Sequence, residues 1–266
     1  MSNAREVLDA AEMPSLEDAP WAYPDGRSAR DRGPSVYGGG RVYPLAEDED
    51  PALRLRSLGG AGLGDRVPVV ALGSNAYPRQ LLDKFEADPV ADDTVPTLRA
   101  VVPDLAISYA AMLSRKGYVP VSARWARGRR CETWLQWLTA EQLTVIAATE
   151  GRGYRLVRVP GVVAGVVEGR WGVGPLPAYV WAHTTLLDLG SGPMDLDAVS
   201  QPELLRMVLA GADAGALREG RRLPERSIGA VRSWLRGRSI GNRLPDGWRE
   251  IDRDAADFPG TLIGSG

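Results

Sequence analysis

Between Val67 and His183 the chain breaks into short runs in which apolar residues alternate with polar ones, separated by turn residues. Val67 to Leu72 is an apolar run that predicts a strand, and Gly73-Ser74-Asn75 follows it as a turn. Pro78 to Ala87 predicts a helix, because proline suits a first helical turn, where its missing N–H costs nothing. Four β-like runs come next: Thr94 to Val102, Leu105 to Met112, Tyr118 to Ala126 and Cys131 to Leu138. Thr139 and Gln142 form a capping-box pair, so a second helix starts there. Leu143, Ile146 and Ala147 fall at i, i+3 and i+4 and give that helix an inward face. Gly151 and Gly153 suit its end, and Tyr154 to Val159, Val162 to Trp171 and Ala178 to His183 read as further strands. Farther on, Leu204, Leu205, Val208 and Leu209 within Pro202 to Leu217 mark an amphipathic helix, and Ile228, Val231 and Leu235 within Ser227 to Leu235 mark another. Strands dominate and helices interrupt them irregularly, so the expected class is α+β rather than a doubly wound sheet.

Residues 1–65 have a different texture. Pro20, Pro24, Asp25-Gly26, Gly33-Pro34 and Gly38-Gly39-Gly40 punctuate them, and Glu47 to Asp50 is an acidic run. A loosely ordered N-terminal extension is expected. Trp21, Tyr23, Tyr37, Val42 and Tyr43 are too aromatic and apolar for a pure linker, so part of this arm should lie across the core. Residues 66–190 are expected to form that core, and 191–266 a helical C-terminal extension.

Composition narrows the function. The 266 residues are 44% hydrophobic and 25% charged, ordinary for a globular protein. A formal net charge of -2 gives no electrostatic reason to expect nucleic acid. One cysteine, Cys131, excludes an intrachain disulfide and a multi-cysteine metal site, and one histidine, His183, excludes a His-rich one. No apolar run approaches the ~20 residues that span a bilayer, so no membrane partner is expected. The N-terminus lacks the basic-then-apolar profile of a signal peptide, and a cytoplasmic location is the default. The oligomeric state is not legible.

Two places carry candidate chemistry. Glu150 takes the i+7 position on the inward face begun by Leu143, where a carboxylate finds a partner or does chemistry. Its plainer reading is a glutamate at a frayed helix end, turned outward or paired with Arg155. If it is a lone buried charge, Glu150→Gln should leave stability nearly intact or raise it slightly. The Gly73-Ser74-Asn75 turn presents backbone N–H groups at a helix start, a natural anion or oxyanion site, though such turns also serve as mere connections.

Other residues read as structural. A Ser/His/Asp hydrolase would have to use Ser74 and His183, but no Gly-x-Ser-x-Gly elbow surrounds Ser74. His183 reads as a strand-end residue making structural hydrogen bonds. Cys131 reads as a buried structural thiol, and Trp125, Trp134 and Trp137 as core. Arg127-Gly128-Arg129-Arg130 reads as a hairpin turn with solvated arginines. Glu132 and Glu168 carry no assigned function.

A strand running into Gly-Ser-Asn, the helix start Pro78-Arg-Gln-Leu-Leu82, a set of strands and Thr149-Glu-Gly-x-Gly-Tyr154 together resemble the gamma-glutamylcyclotransferase-like superfamily, over roughly residues 66–160. The resemblance implies a small mixed β-barrel flanked by helices. It implies that Gly73, Ser74 and Asn75 hold a substrate's glutamyl part, that Tyr154 is the tyrosine beyond the acidic residue, and that Glu150 is the acid/base. The implied substrate is a small γ-glutamyl amine or peptide, cyclised to 5-oxoproline with release of a free amine and with no metal or organic cofactor. Leu72 departs from the pattern, which has a tyrosine before Gly-Ser-Asn. The alternative is a non-catalytic ligand-binding or protein-interaction member of the same fold. The amine half of the substrate is not legible.

Overall fold

The computed structural model describes residues 6–24, 33–46, 49–151, 153–165, 173–215, 223 and 225–252. Glu168 and the end of the Val162 to Trp171 run lie outside the described residues, as do Asp25-Gly26, Glu47 and Asp48. In chain order the elements are β1 (Leu8–Asp9), β2 (Ser35–Gly38), β3 (Arg41–Pro44), α1 (Pro51–Ser57), β4 (Val67–Ala71), α2 (Pro78–Ala87), β5 (Val95–Tyr109), β6 (Val121–Leu138) and α3 (Ala140–Thr149). They continue with β7 (Tyr154–Ala164), β8 (Val173–His183), β9 (Thr185–Leu187), α4 (Gln201–Gly211), α5 (Glu225–Arg236), β10 (Ser239–Gly241) and β11 (Arg249–Ile251).

Strands β5, β6, β4, β8 and β7 are hydrogen-bonded in that order. β7 then returns to β5 through Ala100 opposite Ala164 and Val101 opposite Val163, which closes the ring. All neighbours are antiparallel except β4 and β8, which run parallel. The fold is α+β, with a closed five-stranded mixed barrel and helices packed around it. Period-two alternation builds it, because successive side chains of a strand point to opposite faces. Val70, Leu98, Leu135, Val157 and Val180 meet in one cluster inside the ring. Their neighbours Val69, Leu156 and Trp181, with Leu138 farther along β6, meet Leu81 and Phe85 of α2 and Leu143 and Ile146 of α3 in a second. The capping box is formed in full: Thr139 Oγ1 accepts from Gln142 N–H, and the Gln142 side chain accepts from Thr139 N–H.

The four β-like runs between Thr94 and Leu138 are two long strands, and the expected turn at Gly128 is not a turn between strands. Pro103 pairs with Arg130 and Leu105 with Trp125, so Ala126 to Arg129 bow out opposite Asp104 within a continuous ladder. Asp104 and Gly128 both take the left-handed conformation, at φ 53° and φ 77°, and Gly128 N–H donates to Asp104 Oδ1 at 2.5 Å. Turn-forming residues here make an irregularity that the flanking pairs outlast. Because a Cβ at Gly128 meets open space, Gly128→Ala is strained only in its backbone. It should cost about 1–2 kcal/mol, read from a shift in the denaturation midpoint. Trp134 and Trp137 are core as expected, whereas Trp125, beside the irregularity, is exposed.

The segment before Arg66 is more ordered than its turn-rich composition suggests. Its described residues supply three strands and a helix, and β1, β3 and β2 extend the sheet beyond β5. Asp50 caps α1 by accepting from Ala52 N–H at 2.8 Å. Of the residues that marked this stretch as more than a linker, Tyr23, Tyr37 and Val42 are buried and Trp21 and Tyr43 half-buried. At the other end, α4 and α5 pack Leu204, Leu205, Val208, Leu209, Val231 and Leu235 against Tyr109, Val119 and Val121, with Leu16 and Tyr23 of the arm in the same cluster. The C-terminal part is not purely helical: β10 pairs with β9, and β11 adds to the sheet at β7.

Candidate functional site

β4 ends at Ala71, and the chain passes through Leu72 and Gly73 into a short 3-10 turn, Ser74–Ala76, before α2. Ala76 N–H donates to Gly73 O and Tyr77 N–H to Ser74 O. The turn is pinned from the barrel by Gln136, whose Nε2 donates to Asn75 O at 3.0 Å. A fixed loop of this kind holds its side chains and amides in one orientation.

Glu150 meets this loop. It is not a helical residue on an inward face, as periodicity suggested. α3 ends at Thr149, and Glu150 is its half-buried C-cap, with extended backbone at φ -74° and ψ 126°. The strand-like backbone turns its carboxylate back across the helix end, where Oε1 accepts from Asn75 Nδ2 at 2.8 Å. Arg155, the partner allowed by the plainer reading, bonds instead to Glu250 and to the Asn242 carbonyl. The structure therefore brings together Asn75 and Glu150, 75 residues apart in sequence.

A cation completes the arrangement. Lys84 of α2 donates from Nζ to Asn75 Oδ1 at 2.6 Å and lies 3.8 Å from Glu150 Oε1. Burial lowers the Lys84 ammonium below its ordinary value; the Glu150 charge opposes that, and Lys116 adds to it. Sequence reading passed over Lys84, although the signal was present. Gln80, Leu81, Lys84 and Phe85 fall at helical spacing, and the other three are buried, so this lysine lies on an inward stripe.

Three phenols lie near enough to the same carboxylate to feel its charge. Tyr154, at the start of β7, donates its hydroxyl to Val121 O at 2.8 Å and sets its ring edge-on to His183. Tyr23 of the arm accepts from Val121 N–H at 2.8 Å, so the two hydroxyls grip both polar groups of one residue. Tyr23 also stacks on Tyr118, with centroids 3.9 Å apart and planes 7° from parallel. Burial raises all three phenols above the ordinary tyrosine value, and the nearby Glu150 charge adds to each. The Ser74 side chain hydrogen-bonds Tyr118 and opposes that rise.

Leu72 packs partly buried between the barrel core and the cluster under α4. A phenol nevertheless stands at the loop. A Cβ on Gly73 would come within 2.5 Å of the Tyr23 hydroxyl, so only glycine leaves room for it. Of the residues singled out from sequence, Gly73, Ser74, Asn75, Glu150 and Tyr154 thus line one region, to which Tyr23, Lys84 and Tyr118 are added. His183 is fixed structurally: Nδ1 lies 2.8 Å from Thr185 O, and the His183 backbone N–H donates to Ser122 Oγ. Cys131 is half-buried on β6 rather than fully enclosed. A separate open cavity of about 530 Å³, between the arm and α2, is lined by residues such as Tyr37, Arg41, Phe85 and Asp93 and by none of the residues of the Glu150 region. Among the described residues, no helix is long and apolar enough to cross a membrane.

No family model and no curated relative matches this chain. Among solved structures, an uncharacterized protein from Homo sapiens is similar, with 12% identity and a TM-score of 0.35 over 63% of this chain and 98% of the other. A gamma-glutamyl cyclotransferase is similar at 10% identity and a TM-score of 0.35, over 63% of this chain and 99% of its own.

Proposed function

We propose that this protein cyclises a small γ-glutamyl amine or peptide, releasing 5-oxoproline and a free amine, with Glu150 as general acid/base. The observation that supports the reading best is the 2.8 Å bond from Asn75 to Glu150, which couples the loop to the carboxylate. A γ-glutamyl compound carries its own nucleophile. Its α-amino nitrogen adds to the γ-carbonyl carbon, and the bond from that carbon to the leaving nitrogen breaks. Holding the chain in one ring-forming conformer supplies much of the rate. Glu150 takes the proton lost by the attacking nitrogen and returns it to the departing one, so protons and charge balance over the cycle. The first N–H groups of the Ser74–Ala76 turn have no partner within the turn itself, and they suit the α-carboxylate or the developing oxyanion. Gly73, Ser74, Asn75 and Tyr154 are then substrate-binding residues, and Tyr23 provides the phenol that Leu72 does not.

A second reading has its own support. Asn75 and Lys84 both engage Glu150, an arrangement equally suited to a binding member of the fold that holds a γ-glutamyl group without turning it over. The two separate in one assay: the protein is incubated with a panel of γ-glutamyl amines and peptides, and 5-oxoproline is detected by mass spectrometry. Its appearance with any member of the panel is the expected result. A folded protein that forms none across the panel, yet binds a member in calorimetry, is a binding module.

A further inference from the structure

We infer that Lys84 is a positioning residue that sets the orientation of the Asn75 amide and thereby aims the Glu150 carboxylate; this rests on the reading of Glu150 as acid/base. An asparagine amide has an acceptor end and a donor end of nearly the same shape, and its orientation is decided by what surrounds it. An ammonium has only donors. With Lys84 Nζ at 2.6 Å from Oδ1, the oxygen is committed to the lysine, and Nδ2 must face Glu150, where it donates at 2.8 Å. Turned over, the amide would set its oxygen against the carboxylate and its Nδ2 donor against the ammonium.

The lysine is well placed to hold that choice. It sits two turns into α2, whose Leu81 and Phe85 are locked against Leu143 and Ile146 of the helix that ends at Glu150. One rigid pair of helices thus carries both the cation and the carboxylate, while the amide between them is pinned through its backbone by Gln136. A methionine would fill the same space without the desolvation that a largely buried ammonium suffers. A charge kept there at that expense points to a task beyond packing. Other ionisable groups face the pair. Lys116 faces Lys84 and is itself engaged by Gln80 at 2.9 Å and Asp83 at 3.5 Å, while Tyr23, Tyr118 and Tyr154 face Glu150.

The test is Lys84→Met, with Lys84→Leu as a second variant without a donor should the first not fold. Side-chain amide NMR of the whole chain, with the Asn75 signals assigned through Asn75→Ala, follows hydrogen exchange of the Nδ2 protons directly and requires no turnover. Loss of the donor to Oδ1 frees the amide to turn, so those protons should lose protection from exchange in either variant. In an active preparation, kcat should fall by about 10–100-fold, within the range of a mispositioned general base, with KM altered less. A lysine that merely fills space, or serves only as a counter-charge, would leave the protection where it is. Unchanged protection in a folded variant overturns the inference, whether or not the protein is active. Lost protection in a protein that forms no 5-oxoproline supports the positioning and defeats only the catalytic reading on which it was placed.

Discussion

Glu150→Gln should lower turnover of a γ-glutamyl substrate to 5-oxoproline by about 10²–10⁴-fold, the contribution expected of a general acid–base group. Glutamine keeps the shape and still accepts from Asn75 Nδ2, so binding through the loop should change far less than kcat. The same substitution should also destabilise the fold, which reverses what sequence suggests. A lone carboxylate on a buried face is a burden whose removal is harmless. Here Glu150 is the counter-charge of Lys84, whose side chain is only 13% exposed, so the variant leaves a largely buried ammonium with its bond to Asn75 but without that counter-charge. Because both side chains keep some contact with water, the cost should be about 1–3 kcal/mol rather than that of a fully buried pair. Urea denaturation measures it, and the double variant with Lys84→Met should recover part of the loss. Activity that persists in Glu150→Gln would remove this residue from the mechanism. Unchanged stability would mean that the pair contributes nothing to the folded state.

Local signals in the chain were readable to the residue. The capping pair Thr139 and Gln142 placed the start of α3, and Pro78 placed that of α2, because both signals are local and act through backbone groups a few residues away. Barrel closure was legible only as an implication of resemblance. The contact that closes the ring joins Ala100 to Ala164, and no periodicity reports a pairing over that distance. The site divided in the same way. Glu150 was found through helical spacing, yet it stands just past the helix, as the C-cap of α3, and accepts there from Asn75 Nδ2. Lys84 obeyed the same spacing rule and was overlooked because a lysine is ordinarily assigned to solvent. Tyr23 was legible as an aromatic too apolar for a linker, but its destination was not. Nothing near it in sequence refers to Val121 or Tyr118.

That destination makes the last prediction. Tyr23→Ala should destabilise the protein by about 3–5 kcal/mol, the cost of deleting a large buried ring. The ring is 4% exposed and stacked on Tyr118, so its removal leaves Tyr118 without its face partner and opens a void beside Gly73. It also leaves Val121 N–H, at the first residue of β6, without the hydroxyl that now accepts from it. Tyr23→Phe isolates that second effect. It keeps the stack and loses only the acceptor, and an orphaned buried N–H costs about 1–3 kcal/mol. Chemical denaturation of the two variants beside the wild type separates the contributions. A Tyr23→Ala protein within about 1 kcal/mol of wild type, below the cost of almost any large-to-small core substitution, would mean that the arm does not dock in solution as described. If the arm does dock, the wall of the Glu150 site is built from two distant parts of the chain, and shortening the N-terminus to the barrel alone would remove part of the site together with the arm.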